Sequence, residues 1–173
     1  ELKNDTGNPV YIYRLTGVFG KWCKPNYNSV VATFCYNIIN DRPIQVNDPL
    51  SELSLVYVDD VVNEFISVIQ NNKIDLQELS IQPEYKINLG ELADQIQHFH
   101  DSRYSLISEK VGTGLVRKLY STYISYLPTE KFCYSIPSHI DSRGIFAEIL
   151  KTKDSGQFSF FTARPGIVRG GHY

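Results

Sequence analysis

The stretch VYIYRLTGVFGKWCKPNYNS, residues 10–29, predicts a strand, a loop and the start of a helix. Residues 10–13 are β-branched and aromatic, which favours a strand. Gly17 and Gly20 allow the backbone to turn or to approach another group closely. Asn28 and Ser29 both suit the N-cap of a helix. The apolar residues of the following segment, VVATFCYNII, fall on one helical face.

The loop between this strand and this helix is a candidate ligand site. In an open α/β sheet, ligands bind in the crevice beyond the carboxyl ends of the strands. A loop that follows a strand is therefore placed like the wall of a site. An ordinary strand-to-helix connection explains the same residues equally well, so the local sequence leaves both interpretations open.

Strands and helices follow one another over the first 128 residues. Pro43 ends the first helix near residue 41, because proline disfavours helical geometry in the residue before it. Asp59 or Asp60 is expected to cap the next helix, and this placement explains the pair better than general acid–base chemistry does. Further strands are expected at 44–46, 53–58 and 85–87, and helices at 29–40, 59–70, 88–101 and 111–127.

From residue 132 the pattern changes to short strands. Turns at 141–144 and 154–156 separate β-rich segments at 145–150 and 157–163. Short strands at regular spacing with such turns suggest the start of a sandwich or barrel. A domain boundary is therefore expected near residues 128–132.

Composition excludes several classes of function. The 173 residues carry a formal charge of −2, so no basic surface for nucleic acid is expected. No apolar run is long enough to span a bilayer and no signal segment is recognisable, which predicts a cytoplasmic protein without a membrane partner. The sequence contains no methionine, and we expect it to be a fragment of a longer chain.

The histidines and cysteines within the chain show no metal-binding pattern. Cys23, Cys35 and Cys133 are odd in number and lack a C-x-x-C spacing, which indicates free thiols in a reducing compartment. His98 and His100 are two residues apart on an expected helix and point to nearly opposite sides, so they cannot bind one ion together. Both are expected to be solvated surface residues.

The order of these segments resembles a known family. RLTGVFGKWCKPNYNSVVATFCYNIINDRPIQVNDP followed by LSLVYVDDVV is similar to the C-terminal half of an extended short-chain dehydrogenase/reductase. In particular it resembles the capsular polysaccharide assembling proteins, which join such a reductase to a cupin domain. The implied fold is α/β, of the NAD(P)-binding Rossmann type, followed by the first strands of a β cupin, or jelly roll. Residues 1–128 would form the substrate-binding part of the reductase, and residues 129–173 a linker and the start of the cupin.

The resemblance implies two groups of site residues around the loop. The segment of Arg14, Leu15 and Thr16 would border a nicotinamide cofactor, NADPH or NADH. A UDP-sugar would contact the loop that follows, with lysines available for phosphate charge and asparagines for polar contacts; the residues are Gly17, Val18, Lys21, Lys24, Asn26 and Asn28. Many family members carry asparagine where this chain has Gly17, so one side-chain hydrogen bond is lost here. Lys21 and Lys24 are equally well explained as a solvated pair.

The last residues, GIVRGGH at 166–172, fit the opening of the first cupin motif. In an H-x-H strand, alternate histidines face one interior metal, which would be zinc or another divalent ion. RGIFAE followed by VRGGHY also resembles the cupin branch of dTDP-4-dehydrorhamnose 3,5-epimerase, in which the histidine is a general base. His172 is therefore a candidate metal ligand or a candidate base, and the sequence does not decide between them.

The resemblance implies a sugar-nucleotide-modifying enzyme of capsule or O-antigen biosynthesis. The cupin would epimerise a 4-keto UDP-deoxy-amino sugar, the reductase would reduce its ketone with NADPH, and the protein would be a homodimer. The sequence contains no G-x-x-G-x-x-G loop, and the catalytic Tyr-x-x-x-Lys of the family belongs upstream of Glu1. By itself the chain is therefore not expected to transfer hydride. A different extended short-chain epimerase or dehydratase, or a non-catalytic sugar-nucleotide-binding or dimerisation module, are the alternatives.

Overall fold

The structure, a computed structural model, describes residues 5–71 and 78–168. The first part contains strands β1 (Ile12–Tyr13), β2 (Gly17–Phe19), β3 (Glu52–Tyr57), β4 (Glu78–Leu79) and β5 (Tyr85–Asn88), with helices α1 (Val30–Ile39), α2 (Val58–Asn71), α3 (Leu89–Ser105) and α4 (Gly114–Ile124). A 3₁₀ turn (Thr129–Lys131) leads to β6 (Ser138–Asp141), β7 (Gly144–Lys151) and β8 (Gln157–Phe161). The result is a mixed α/β fold with small sheets.

Three sheets are formed within the described residues. β2 pairs in parallel with β3, and β3 pairs antiparallel with β5. β1 and β4 form a short parallel pair. β6, β7 and β8 form an antiparallel meander in sequence order. The predicted change to an all-strand pattern after residue 132 is confirmed.

The main core lies between the β2–β3–β5 sheet and helices α1, α3 and α4. One face of each helix contributes to a continuous apolar cluster, and residues of the sheet pack against the same cluster. Fully buried members include Phe19, Ile39, Leu92, Ile96 and Leu119. We call this part of the molecule the central unit.

Local sequence signals explain the helix ends. The Ser29 hydroxyl accepts a hydrogen bond from the Ala32 N–H at 3.3 Å, so Ser29 is the N-cap of α1, as predicted. At the start of α3, the Glu91 carboxylate accepts a hydrogen bond from the Asn88 N–H at 3.1 Å. Leu106, the C-cap that follows α3, adopts a left-handed conformation with φ 58°.

Several predicted boundaries were wrong. Residues 17–19 were expected in a loop but form β2, because pairing with the distant β3 extends them. Residues 44–46 form no strand; Ile44 and Val46 pack against the core cluster instead. α2 begins at Val58, so Asp59 and Asp60 lie in its first turn and neither is its N-cap.

The C-terminal sheet is connected to the central unit through the loop after α3. Ile107 forms a parallel bridge with Lys151, flanked by two backbone hydrogen bonds of 2.8 Å. The Lys153 ammonium lies 2.9 Å from the Glu109 carboxylate. Backbone pairing and ion pairs therefore attach the sheet at this edge.

Candidate functional site

A cleft of about 540 Å³ lies between the N-terminus of α1 and the start of strand β2. Thr16, Gly17 and Val18 line one wall, and Asn28 and Ser29 line another. The first half of β3 completes the lining. We call this the α1 cleft. It brings together four of the residues that sequence analysis placed beside cofactor or substrate, namely Thr16, Gly17, Val18 and Asn28.

Two features of the α1 cleft suit an anionic, hydrogen-bonding ligand. The first turn of α1 contains no acidic residue, so the positive end of the helix dipole is uncompensated there. The side-chain oxygen of Thr16 is buried, and among the described residues it has no hydrogen-bond partner. Buried hydroxyl groups are nearly always paired, so a group that enters the cleft would satisfy Thr16.

Gly17 is required by the close approach of the two parallel strands. A Cβ atom at this position would lie 3.0 Å from Leu55 Cδ2 and 3.1 Å from the Ser54 carbonyl oxygen. A larger side chain would therefore have to displace Leu55 and the Ser54 carbonyl group locally. The backbone of Gly17 consequently remains accessible along the cleft wall.

The loop between β2 and α1 is held by contacts from both sides. The Tyr126 hydroxyl donates a hydrogen bond to the Cys23 carbonyl oxygen. The Asn26 N–H donates to the Thr33 hydroxyl at 3.0 Å, and the Asn26 and Asn37 amides are paired at 3.3 Å. The loop is therefore ordered by α1 and by the turn after α4.

The remaining predicted site residues lie outside the α1 cleft. The Lys21 ammonium is 3.2 Å from Asp59 Oδ2, and the Lys24 ammonium lies 5.5 Å from the centre of the Tyr27 ring. Arg14 and Leu15 are exposed and lie in the segment just before β2. Asn26 is engaged with α1. The structure therefore does not bring these residues together with Asn28.

A second cleft, with a volume of about 430 Å³, lies at the carboxyl end of β3. It shares no lining residue with the α1 cleft. Tyr57, Asp59, Arg117 and Lys118 line it. Lys118 forms an ion pair with Asp60, and each of these side chains is only 19% exposed. We call this the Lys118 cleft.

The electrostatics of the Lys118 cleft keep its lysine charged. Burial acts against the ammonium form of Lys118, but hydrogen bonds to Asp60 and Tyr85 outweigh it and raise the pKa of Lys118. The ammonium also lies 5.3 Å from the ring centres of Tyr57 and Tyr85. Asp59 and Asp60 are thus partners of lysines, which supports a structural role over an acid–base one. Sequence analysis missed Arg117 and Lys118 because only the apolar face of α4 was considered.

The histidines behave differently from the prediction in one respect. His98 is half exposed and lies 3.9 Å from Glu109, whereas the His100 side chain is largely buried and 3.7 Å from Asp41. They therefore have different neighbours, and His100 is not a solvated surface residue. Within residues 5–71 and 78–168, no group of three or more His, Cys, Asp or Glu side chains is arranged to hold a metal ion. His172 lies outside the described residues, so its predicted role stays a prediction.

The C-terminal region is similar to a known family of domains. Residues 139–173 match the family model described as the polysaccharide biosynthesis C-terminal domain. In the part of the chain that the structure describes, no helix is long and apolar enough to cross a membrane. The C-terminal residues are thus similar to a domain of polysaccharide biosynthesis proteins.

Individual relatives match nearly the whole chain. A UDP-2-acetamido-2,6-beta-L-arabino-hexul-4-ose reductase of Pseudomonas aeruginosa is 57% identical over 172 residues, which are 99% of this chain and 46% of that protein. The crystal structure of the capsular polysaccharide assembling protein CapF from Staphylococcus aureus aligns with a TM-score of 0.90 at 45% identity, covering 97% of this chain and 46% of that one. CapF with the inhibitor 3-isopropenyl-tropolone aligns with a TM-score of 0.89 at 44% identity.

These matches confirm the resemblance to the capsular polysaccharide assembling protein family. The mixed α/β fold is the one found in the corresponding half of CapF. The chain spans about half the length of the curated relative and of the crystal structures that it matches.

Proposed function

We propose that this chain is the substrate-binding part of a sugar-nucleotide reductase, followed by the start of a cupin domain. In this proposal the central unit belongs to a Rossmann-type short-chain dehydrogenase/reductase, with the boundary near residue 128. The complete enzyme would reduce a 4-keto UDP-deoxy-amino sugar with NADPH in the cytoplasm, after epimerisation by the cupin, as a homodimer. The Pseudomonas relative, a UDP-sugar reductase, supports this assignment.

The observation that carries the proposal is the α1 cleft. A UDP-sugar presents a diphosphate, and helix N-termini without acidic residues bind phosphate groups through free N–H groups. Asn28 lies just before this N-terminus and is placed for a polar contact with the same ligand. The diphosphate would therefore lie at the start of α1.

The residues before β2 fit a nicotinamide cofactor in one respect. Thr16 offers a buried hydroxyl without a partner in the described residues, which a cofactor or substrate amide or hydroxyl would satisfy. When bound, the nicotinamide supplies the hydride. Arg14 and Leu15 would border it, while Thr16 would fix its position relative to the sugar at Gly17 and Val18.

Binding of UDP to the purified protein tests the site. We expect Asn28→Ala to weaken UDP binding about tenfold in isothermal titration calorimetry, the effect of losing a hydrogen bond to a charged partner. Thr16→Val, which is placed beside the nicotinamide, should leave UDP binding unchanged. Thr129→Val is the matched control, because Thr129 is exposed and lines neither cleft. Undetectable UDP binding by the wild-type protein, or equal affinity in all variants, contradicts the proposal.

Hydride transfer needs a separate measurement. The coding region on both sides of this segment should encode a glycine-rich loop and Tyr-x-x-x-Lys upstream, and a histidine directly after Tyr173. The protein expressed from it should oxidise NADPH in the presence of a 4-keto UDP-sugar. If UDP binds but those motifs are absent, the non-catalytic binding module is the correct description.

A further inference from the structure

A third cavity, of about 370 Å³, lies between α3, α4 and the 3₁₀ turn. It shares no lining residue with the α1 cleft or the Lys118 cleft. Its polar lining includes His100, Arg103, Tyr123 and Lys131. We call it the Tyr123 cavity. Its volume is within the range of small-molecule sites.

Tyr123 provides the first indication that the cavity is a ligand-binding site. The residue is 1% exposed, and among the described residues its hydroxyl has no hydrogen-bond partner. Its ring is held by Phe99, at a centroid distance of 5.8 Å, and by Tyr120, stacked at 6.5 Å. These contacts limit movement of the ring, and a ligand group or a water molecule that enters the cavity would satisfy the hydroxyl.

Basic groups provide the second indication. Arg103 donates one hydrogen bond to the Lys131 carbonyl oxygen, and its guanidinium lies over the Tyr134 ring at 5.1 Å. Within the described residues, no carboxylate forms an ion pair with Arg103, so most of its donors are available. The Lys131 ammonium donates to the Ile39 carbonyl oxygen at the same cavity. Arg103 is thus both fixed in position and free to bind an oxyanion.

Three carboxylates limit the charge of this cavity. Asp41 lies 3.6 Å from Lys131 and 3.7 Å from His100, but its side chain is 75% exposed. Glu130 is also exposed. Asp101 lies on α3, and its charge contributes to the raised pKa of Tyr123. None of them reaches Tyr123 or Arg103 by a hydrogen bond or ion pair within the described residues. The inner end of the cavity therefore presents hydrogen-bond donors.

We propose that the Tyr123 cavity binds a small organic anion, a carboxylate or a phosphate monoester, through the Tyr123 hydroxyl and the Arg103 guanidinium. Ile39 and Leu127 on the cavity wall would contact the apolar body of such a ligand. Lys131 would supply the second positive charge. The site is separate from the proposed UDP-sugar site and does not depend on it.

Titration with citrate and with glucose 1-phosphate tests the proposal and distinguishes the two anion classes. At least one should bind in the millimolar range or tighter. Tyr123→Phe should weaken that binding about fivefold or more, because it removes one donor without changing the ring. Tyr120→Phe, on the same helix but outside the cavity, is the matched control. UDP binding should be the same in both variants.

The stability of Tyr123→Phe distinguishes a loss of anion binding from misfolding. Since the hydroxyl has no partner in the described residues, its removal should leave the melting temperature without anion unchanged or higher. The proposal is overturned if neither anion binds to the wild-type protein. It is equally overturned if Tyr123→Phe binds the anion as tightly as wild type, or if Tyr120→Phe loses as much affinity as Tyr123→Phe.

Discussion

The central unit and the C-terminal sheet differ sharply in how much apolar surface they bury. In the central unit, three helices and a sheet enclose a cluster of fully buried side chains. In the described strands of the C-terminal sheet, Ala147 is the buried apolar residue, whereas Ile140, Phe158 and Phe161 are all more than half exposed. The central unit is thus stabilised by its own core, while the C-terminal sheet depends on backbone pairing and on its attachment at Ile107 and Lys151.

The largest expected difference is between two apolar truncations, one in each region. Leu119→Ala, at a position with 0% exposure, should lower the free energy of unfolding by about 2–5 kcal/mol, because it removes buried methyl groups and leaves a cavity. Ile140→Ala, at 69% exposure, should change it by less than about 0.5 kcal/mol. Urea denaturation followed by far-UV circular dichroism measures both.

An equal loss in the two variants would break the comparison. It would mean that Ile140 is covered in solution, for example by a second copy of the chain. Size-exclusion chromatography at several protein concentrations would then detect association that Ile140→Ala weakens.

Sequence periodicity was sufficient to predict the helices of the central unit. Their apolar faces and the cap at Ser29 are local features, and both are found in the structure. The assignment of residues 17–19 to a loop was wrong because their strand exists only through pairing with β3, more than thirty residues away. The strand expected at 44–46 was wrong for a related reason, since its apolar residues pack on the core without a strand partner.

The candidate site was predictable only in part. The strand–loop–helix pattern pointed to the segment that lines the α1 cleft, and Asn28 and Gly17 lie there. Sequence alone did not show that Lys21 would be paired with Asp59, or that Lys118 would be paired with Asp60. These contacts join residues 38 and 58 positions apart, so they depend on the tertiary fold.

The tight packing of the central unit should extend to Gly20, at the start of the loop between β2 and α1. A Cβ atom at Gly20 would lie 2.3 Å from Val58 Cγ1, and the branched valine side chain cannot move away easily. Gly20→Ala should therefore lower the free energy of unfolding by about 1–3 kcal/mol, the usual cost of overpacking. Thermal and urea unfolding measure this loss.

Gly112 provides the matched control, in the loop that connects α3 to α4. A Cβ atom there would meet nothing within 4 Å. Gly112→Ala should thus leave stability within about 0.5 kcal/mol of wild type. If Gly20→Ala is equally harmless, Val58 can shift, and the packing at the edge of the site is looser than in the core.

The smallest effect is expected where the two regions meet, at Glu109 and Lys153. Burial raises the pKa of the Glu109 carboxyl, but the hydrogen bond and charge of Lys153, with a contribution from His98, outweigh it and hold the pKa below its usual 4.5. A carboxyl with a lowered folded-state pKa stabilises the fold above the unfolded-state pKa, and this stabilisation is lost as the pH falls through the folded-state value. Glu109→Gln should therefore cost less than about 1 kcal/mol at pH 7 and progressively less below pH 4.5. Asp154→Asn, which removes the more exposed pair with Lys110, should have a smaller effect.

The measurement is hydrogen exchange at the Lys151 amide, which donates to the Leu106 carbonyl oxygen across the junction. Faster exchange in Glu109→Gln at neutral pH, with convergence to wild type in acid, would show that this ion pair holds the sheet to the central unit. A difference that does not change with pH would mean that the carboxylate charge has no part in the attachment, which would then rest on the backbone bridge alone.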